Sequence, residues 1–182
     1  MSQRIGHDGT TYSLPEPFPQ DEAWSWWMPR APDTAVVAVD GDHVCGRATR
    51  GPHRPGRGSH VATASFLVDP ACHRRGIGTA LGLHVIEWAR SNGDLAIEFN
   101  AVVETNEPAV HLWRKLKFEI LATVPAAFRH RALGLVGVHV MLLSLPLSGA
   151  PTVRSGWVAS NATKRSRSPP RSGTRSTARR RQ

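Results

Sequence analysis

The stretch Phe66-Leu67-Val68-Asp69-Pro70-Ala71-Cys72-His73-Arg74-Arg75-Gly76-Ile77-Gly78-Thr79 constrains this chain more than any other. An apolar run stops at Asp-Pro, a basic loop with two glycines follows, and a helical pattern opens at its end. The order is strand, loop, helix. The first N–H groups of a helix lack intrahelical partners, and glycines let an anion approach them closely. Arg74 and Arg75 set positive charge beside them, so the residues point to a phosphate or pyrophosphate site. The competing reading is a plain helix entry turn with two solvated arginines. No Gly-Lys-Ser/Thr follows, which excludes a P-loop, and the three-glycine spacing of a dinucleotide-binding turn is absent.

The flanking pattern extends the strand–loop–helix unit in both directions. Ala35–Val39 and His43–Thr49 surround Asp40-Gly41-Asp42 and predict a β-hairpin. Residues 51–58 read as a loop, and Ser59–Val68 as a long strand. Thr79–Arg90 predicts a helix, with Leu81, His84, Val85 and Trp88 at helical spacing and Ser91-Asn92-Gly93 as its stop. Leu95–Val103 is a further strand. Glu107–Lys115 is a second helix, with Asn106 suited to the N-cap and Pro108 to the first turn. Phe118–Val124 and Val136–Leu143 close the series as strands, with residues 127–131 as a loop between them. Near the start, Asp21 can cap a short helix carrying Trp24, Trp27 and Met28 on one face. The fold class is α/β in the mixed α+β sense, a mixed sheet with a βαβ-like centre and antiparallel flanks.

Charge divides the chain. The formal net charge is +9 over 182 residues, and residues 151–182 hold nine bases and no acid. The remainder is balanced, so we expect a domain over 1–147 and a disordered Arg/Ser/Pro-rich tail over 148–182. Two cysteines, Cys45 and Cys72, without a Cys-x-x-Cys pair, suit a reducing cytosol, and free thiols are preferred to a single bridge. The N-terminus lacks the apolar region of a signal peptide. Ala132–Leu147 is apolar but shorter than the roughly 20 residues that span a bilayer. A cytoplasmic protein without a membrane contact is expected.

Two motifs resemble the GNAT superfamily of acetyl-CoA-dependent N-acetyltransferases. The family loop, Gln/Arg-x-x-Gly-x-Gly/Ala after a strand ending in Val-x-Pro, is similar to His73-Arg74-Arg75-Gly76-Ile77-Gly78 after Val68-Asp69-Pro70. The family's Asn-x-x-Ala-x-x-Leu-Tyr-x-Lys-Leu-Gly-Phe is similar to Asn106 through Phe118. The resemblance covers roughly residues 34–145, and more loosely 8–33, and implies a GNAT-like fold lacking its first strand. It implies acetyl-CoA as co-substrate, with backbone groups of Phe66, Leu67 and Val68 on the pantetheine arm and the thioester carbonyl. It further implies His73, Arg74, Arg75, Gly76, Ile77, Gly78 and Thr79 around the pyrophosphate, and Asn106 and Trp113 near the cofactor on the next helix. The acceptor implied is a primary or secondary amine of a small molecule or amino-acid-like compound.

Three positions depart from the family pattern. His73 replaces Gln or Arg, Lys117 replaces the Gly of Leu-Gly-Phe, and Trp113 replaces Tyr. An indole has no acidic hydroxyl and cannot act as a general acid. Tyr12, the only tyrosine, is remote in sequence. For the base, Glu98 and Asn100 share one strand face, and His60 shares a strand with the thioester position. Each is equally consistent with a structural polar residue, and His130 is a solvated loop histidine. No His-x-x-x-His pair with a carboxylate occurs, so no catalytic metal is expected. Rival readings are a non-catalytic acyl-CoA-binding protein and a nucleic-acid-associated protein acting through the tail. A homodimer is a further expectation.

Overall fold

The computed structural model describes residues 10–12 and 29–145. The chain divides into two units, Met1–Pro151 and Thr152–Gln182, and the described residues all belong to the first. The expected helix near Trp24, the missing first strand and the 148–182 tail concern residues outside those described. In order, the elements are β1 (Thr34–Asp40), β2 (His43–Pro52), β3 (Val61–Val68), α1 (Ile77–Asn92), β4 (Ala96–Val103), α2 (Glu107–Lys115), β5 (Glu119–His130) and β6 (Gly134–Ser144). Single 3-10 turns lie at Gly56–Gly58 and Pro70–Cys72. The strands form one six-stranded sheet, ordered β1-β2-β3-β4-β6-β5. Among the described residues, no helix is long and apolar enough to cross a membrane.

The β1–β2 hairpin turns at Gly41, whose φ of +57° is the left-handed value such a tight turn demands. Every neighbouring pair is antiparallel except β3 and β4, which α1 connects as a crossover. That parallel pairing covers only Val61↔Ala96 and Ala62↔Ile97. The Thr63 hydroxyl then donates to Glu98 O at 2.8 Å, and beyond it the two strands part. The result is a gap between Ala64–Val68 and Phe99–Val103. A register shift in β4 between Phe99 and Val102 accompanies the divergence.

Helices α1 and α2 cover one face of the sheet. Leu81, Val85, Ile86 and Ala89 of α1 join Ala48, Ala62, Ile97 and Phe99 of the strands in the main core. The helices approach closely because Gly82 has no side chain; a Cβ there would lie 2.6 Å from Leu116 and 3.2 Å from Trp113. Both helices end in the same way. Gly93, at φ +80°, follows α1, and Asp94 N–H reaches back to Ala89 O. After α2, Phe118 N–H donates to Trp113 O and Lys117 N–H to Arg114 O, a Schellman pair with lysine at φ +73° in the glycine position.

Three expectations need correction. β2 runs through Pro52, which pairs with Ala62, so the loop starts later than composition suggests. β5 continues to His130, paired with Gly134; a register break after Val124, with Ala126 at φ +53°, hides the alternation that would have shown a strand. His130 is therefore a strand residue rather than a loop one, and its Nδ1 accepts from Ala132 and Leu133 N–H at 3.2 Å at the exposed hairpin end. Finally, Cys45 and Cys72 are joined in a disulfide rather than free. The long β2–β3 ladder carries Cys45 to the Pro70–Cys72 turn, bringing the two Cα atoms within 5.5 Å.

Candidate active site

The loop before α1 is built as an anion nest. Gly76 is the N-cap at φ +78°, and no side chain caps the helix behind it. Arg74 also takes a positive φ, +60°, so the backbone changes hand twice over 74–76. Such alternation turns successive N–H groups into one concavity, and a helix N-terminus adds its partial positive charge. Asp69 fixes the approach: its Oδ1 accepts from Ala71 N–H at 2.9 Å and its N–H donates to Cys45 O at 2.8 Å. Gly78 lets α2 close in, since a Cβ would lie 3.1 Å from Leu112. Arg75 is not simply solvated. Its Nη2 lies 2.7 Å from Asp40 Oδ2, tying the loop to the hairpin tip. That hydrogen bond and charge hold the Asp40 carboxyl below the usual carboxylate range.

The gap begins where the loop ends. Backbone groups on a strand alternate between its two neighbours, and Leu67 sits opposite Arg47 with the same parity as the Asp69–Cys45 bond. Leu67 therefore turns its N–H and C=O toward β2, while Phe66 and Val68 turn theirs toward the gap. This corrects the expectation for Leu67, whose backbone faces away from any ligand in the gap.

Tyr12 shows that the gap is polar and reachable. Its hydroxyl donates to Phe66 O and accepts from Phe66 N–H at 3.1 Å. Burial raises the phenol pKa, outweighing the Phe66 bond that acts the other way, so the hydroxyl stays protonated at neutral pH. No motif marks Tyr12 in the sequence. The only usable signal was that it is the chain's one tyrosine while the family's tyrosine position holds Trp113.

Trp113 is a core residue, 6% exposed, with ring centroids 4.7 Å from Phe66 and 4.8 Å from Phe99. It packs behind the gap rather than facing an open groove. Asn106 caps α2, its Oδ1 accepting from Ala109 N–H at 3.3 Å. The cap engages the oxygen; the NH2 end is the group suited to a ligand.

Of the three candidate bases, two stay near the gap. Glu98 lies on the sheet face opposite Phe99, with its carboxylate 3.3 Å from His53 Nε2. The His53 ring is 6% exposed, and neither nitrogen meets hydrogen-bond geometry with a described group. The pair sits where β3 and β4 separate. His53 was missed because its segment reads as loop; its N–H donates to Val61 O, which brings it to the sheet. Asn100 is exposed within the irregular part of β4. His60 is not brought to the site: it precedes β3, accepts from Leu95 N–H, and sits about 20 Å along the strand from Phe66.

The sequence and fold are matched by known proteins. The acetyltransferase (GNAT) family model matches residues 6–118. The chain belongs to the GNAT family. The L-amino acid N-acetyltransferase AaaT of Escherichia coli is 33% identical over 117 residues, covering 61% of this chain and 69% of that protein. N-acetyltransferase aca1 of Schizosaccharomyces pombe is 35% identical over 89 residues, 48% of this chain but only 43% of the yeast protein. This GNAT chain thus spans less than half the length of that relative. A GCN5-related N-acetyltransferase from Kribbella flavida superposes with a TM-score of 0.76 and 46% identity, covering 79% of this chain and 88% of its own. The fold is shared with yncA of Salmonella typhimurium, solved with its cofactor acetyl-CoA, at a TM-score of 0.62 and 24% identity over 75% of this chain and 79% of that one.

Proposed function

We propose that this GNAT chain transfers the acetyl group of acetyl-CoA to the amine of a small, amino-acid-like acceptor. The observation that carries the reading is the gap: β3 and β4 part beside a helix-terminal nest, and Phe66 presents both backbone groups to the opening. The amides of Arg74 to Thr79 would hold the pyrophosphate, Val68 would pair with the pantetheine arm, and the Phe66 N–H now bonded to the Tyr12 oxygen would hold the thioester oxygen. Asn106 reaches the arm from α2. The relationship to an L-amino acid N-acetyltransferase supports the acceptor class.

The amine attacks the thioester carbon directly, and the developing oxyanion is stabilised at Phe66 N–H. An ammonium is not nucleophilic, so a proton must leave first. Glu98, with His53 behind it, accepts that proton directly or through water. Trp113 cannot protonate the departing thiolate. CoA thiolate leaves as such or takes a proton from water.

The test is calorimetric titration of acetyl-CoA into the full chain, then CoA-thiol release with a panel of amino acids and simple amines. Saturable one-to-one binding with release on amino-acid-like amines is expected. Absence of binding by folded protein refutes the reading. Binding without turnover on any amine leaves a non-catalytic acyl-CoA-binding module, the second reading, which the loss of the family's tyrosine at Trp113 favours.

A further inference from the structure

We propose that His43, Cys45 and Cys72, completed by Asp69, form a zinc-class metal site that alternates with the Cys45–Cys72 disulfide. One donor atom from each of His43, Cys45 and Cys72 lies within 4.8 Å of the others. Asp69 Oδ2 stands 3.4 Å from His43 Nε2 but not within 4.8 Å of all three donors, so a side-chain rotation must bring it in as the fourth. Two thiolates, an imidazole and a carboxylate oxygen make a tetrahedral zinc set. No spacing rule finds it, because positions 43, 45, 69 and 72 meet only through the β2–β3 ladder.

The scaffold is rigid where the ligands attach. Asp69 N–H donates to Cys45 O, and Cys72 N–H to Asp69 O, each at 2.8 Å. Both cysteines are buried, at 0% and 2% exposure, while the His43 ring is 57% exposed and free to swing inward. Two thiolates on one zinc stand about 3.8 Å apart, given bonds of about 2.3 Å in tetrahedral geometry. Passing from disulfide to metal therefore requires rotation of the two cysteine side chains and of His43 and Asp69.

Charge favours the same species. Arg75 Nη1 lies 3.9 Å from each sulfur and stabilises the thiolate form. Two thiolates and Asp69 carry three negative charges, of which a divalent cation offsets two; Arg75, which also pairs with Asp40, bridges the site to that carboxylate.

The two closed forms interconvert by a balanced step. Reduced protein binds the cation as the two thiols release two protons. When hydrogen peroxide oxidises the loaded site, each thiolate gives up one electron and the S–S bond forms. The O–O bond breaks, and its oxygens take two protons to leave as two waters. A disulfide is a poor metal donor, so the cation departs. Because Cys72 immediately precedes the nest and Arg75 belongs to it, the two forms hold the loop differently. This consequence, unlike the metal site itself, rests on the acetyl-CoA reading above.

The experiment uses full-length protein, reduced, stripped of metal and shown to be folded by circular dichroism. It is titrated with Co²⁺ and, against a chromophoric chelator, with Zn²⁺. We expect one equivalent bound, tetrahedral cobalt bands with a thiolate charge-transfer band, and metal release on adding peroxide as free thiols fall from two to none. His43→Ala, at an exposed position that leaves the core intact, should weaken zinc binding at least tenfold, and Cys45→Ser should remove thiolate intensity. Folded, reduced protein that takes no cobalt, an octahedral spectrum, or unchanged affinity in His43→Ala overturns the site. Acetyl-CoA is then titrated into the zinc-loaded and disulfide forms, where a severalfold difference is expected. Equal affinities overturn the coupling to the loop. Failure of both forms to bind acetyl-CoA refutes the cofactor reading, while the cobalt and zinc results independently decide the metal site.

Discussion

Tyr12→Phe separates stability from cofactor affinity. The phenol oxygen makes two hydrogen bonds to Phe66, one as donor and one as acceptor. Each such bond contributes about 0.5–1.5 kcal/mol net, so the substitution should cost about 1–3 kcal/mol. For a domain of this size the melting temperature should fall by roughly 2–12 °C. Affinity should move the opposite way. The phenol oxygen and a thioester oxygen cannot both hold the single Phe66 N–H, so acetyl-CoA must displace Tyr12 in the native protein and need not in the variant. Recovering one bond of about 1.4 kcal/mol tightens Kd about tenfold. Thermal melts and calorimetry on both proteins read the two effects. A lower melting temperature with unchanged or weaker acetyl-CoA binding would refute the idea that Tyr12 occupies the thioester's donor. The phenol gives an independent check because it is the only one in the chain. Its pKa is raised by folding, so the stabilisation is full below about pH 10, the unfolded value, and is lost as pH rises through the folded pKa. Ultraviolet titration should show phenolate near pH 10 in denaturant and only at higher pH in native protein.

Other perturbations test other parts of the site. Gly76→Val forces a β-branched residue to φ +78° with nothing to clash against, so it should weaken acetyl-CoA binding at least tenfold while the protein stays folded; wild-type affinity would place the phosphate elsewhere. Glu98→Gln should cut kcat/KM for amine acetylation about 100-fold or more and leave the Kd for acetyl-CoA unchanged; an unchanged kcat/KM would exclude Glu98 as the base. Lys117→Gly relieves a left-handed lysine at the α2 terminus and should raise stability by about 1 kcal/mol, read as a higher denaturation midpoint. Asn106→Ala removes the α2 cap and should cost about 1 kcal/mol in the same assay, together with weaker acetyl-CoA binding.

Local chemistry made much of the fold legible in advance. Two strand-like runs around the Asp-Gly turn at Asp40-Gly41-Asp42 dictate the first hairpin, and Asn106 with Pro108 sets the start of α2 at Glu107. The nest is local too, since its hand-changing backbone and helix start lie within 74–79. Where a signal needed long register it failed. The break near Ala126 masked the end of β5, and the pairing of Pro52 with Ala62 was invisible to composition.

The sequence alone determined the strand–loop–helix order around Gly76 and which strand leads into it, because those properties arise from neighbouring residues. Only the tertiary structure decided what meets in the gap. Tyr12 reaches Phe66 across 54 residues, His53 reaches Glu98 from just past the end of β2, and, away from the gap, Cys45 meets Cys72 beside His43. Leu67 turns away from the gap, and Trp113 enters the core. Such encounters depend on strand register and helix packing, which many sequence-distant contacts fix together, so no local window contains them.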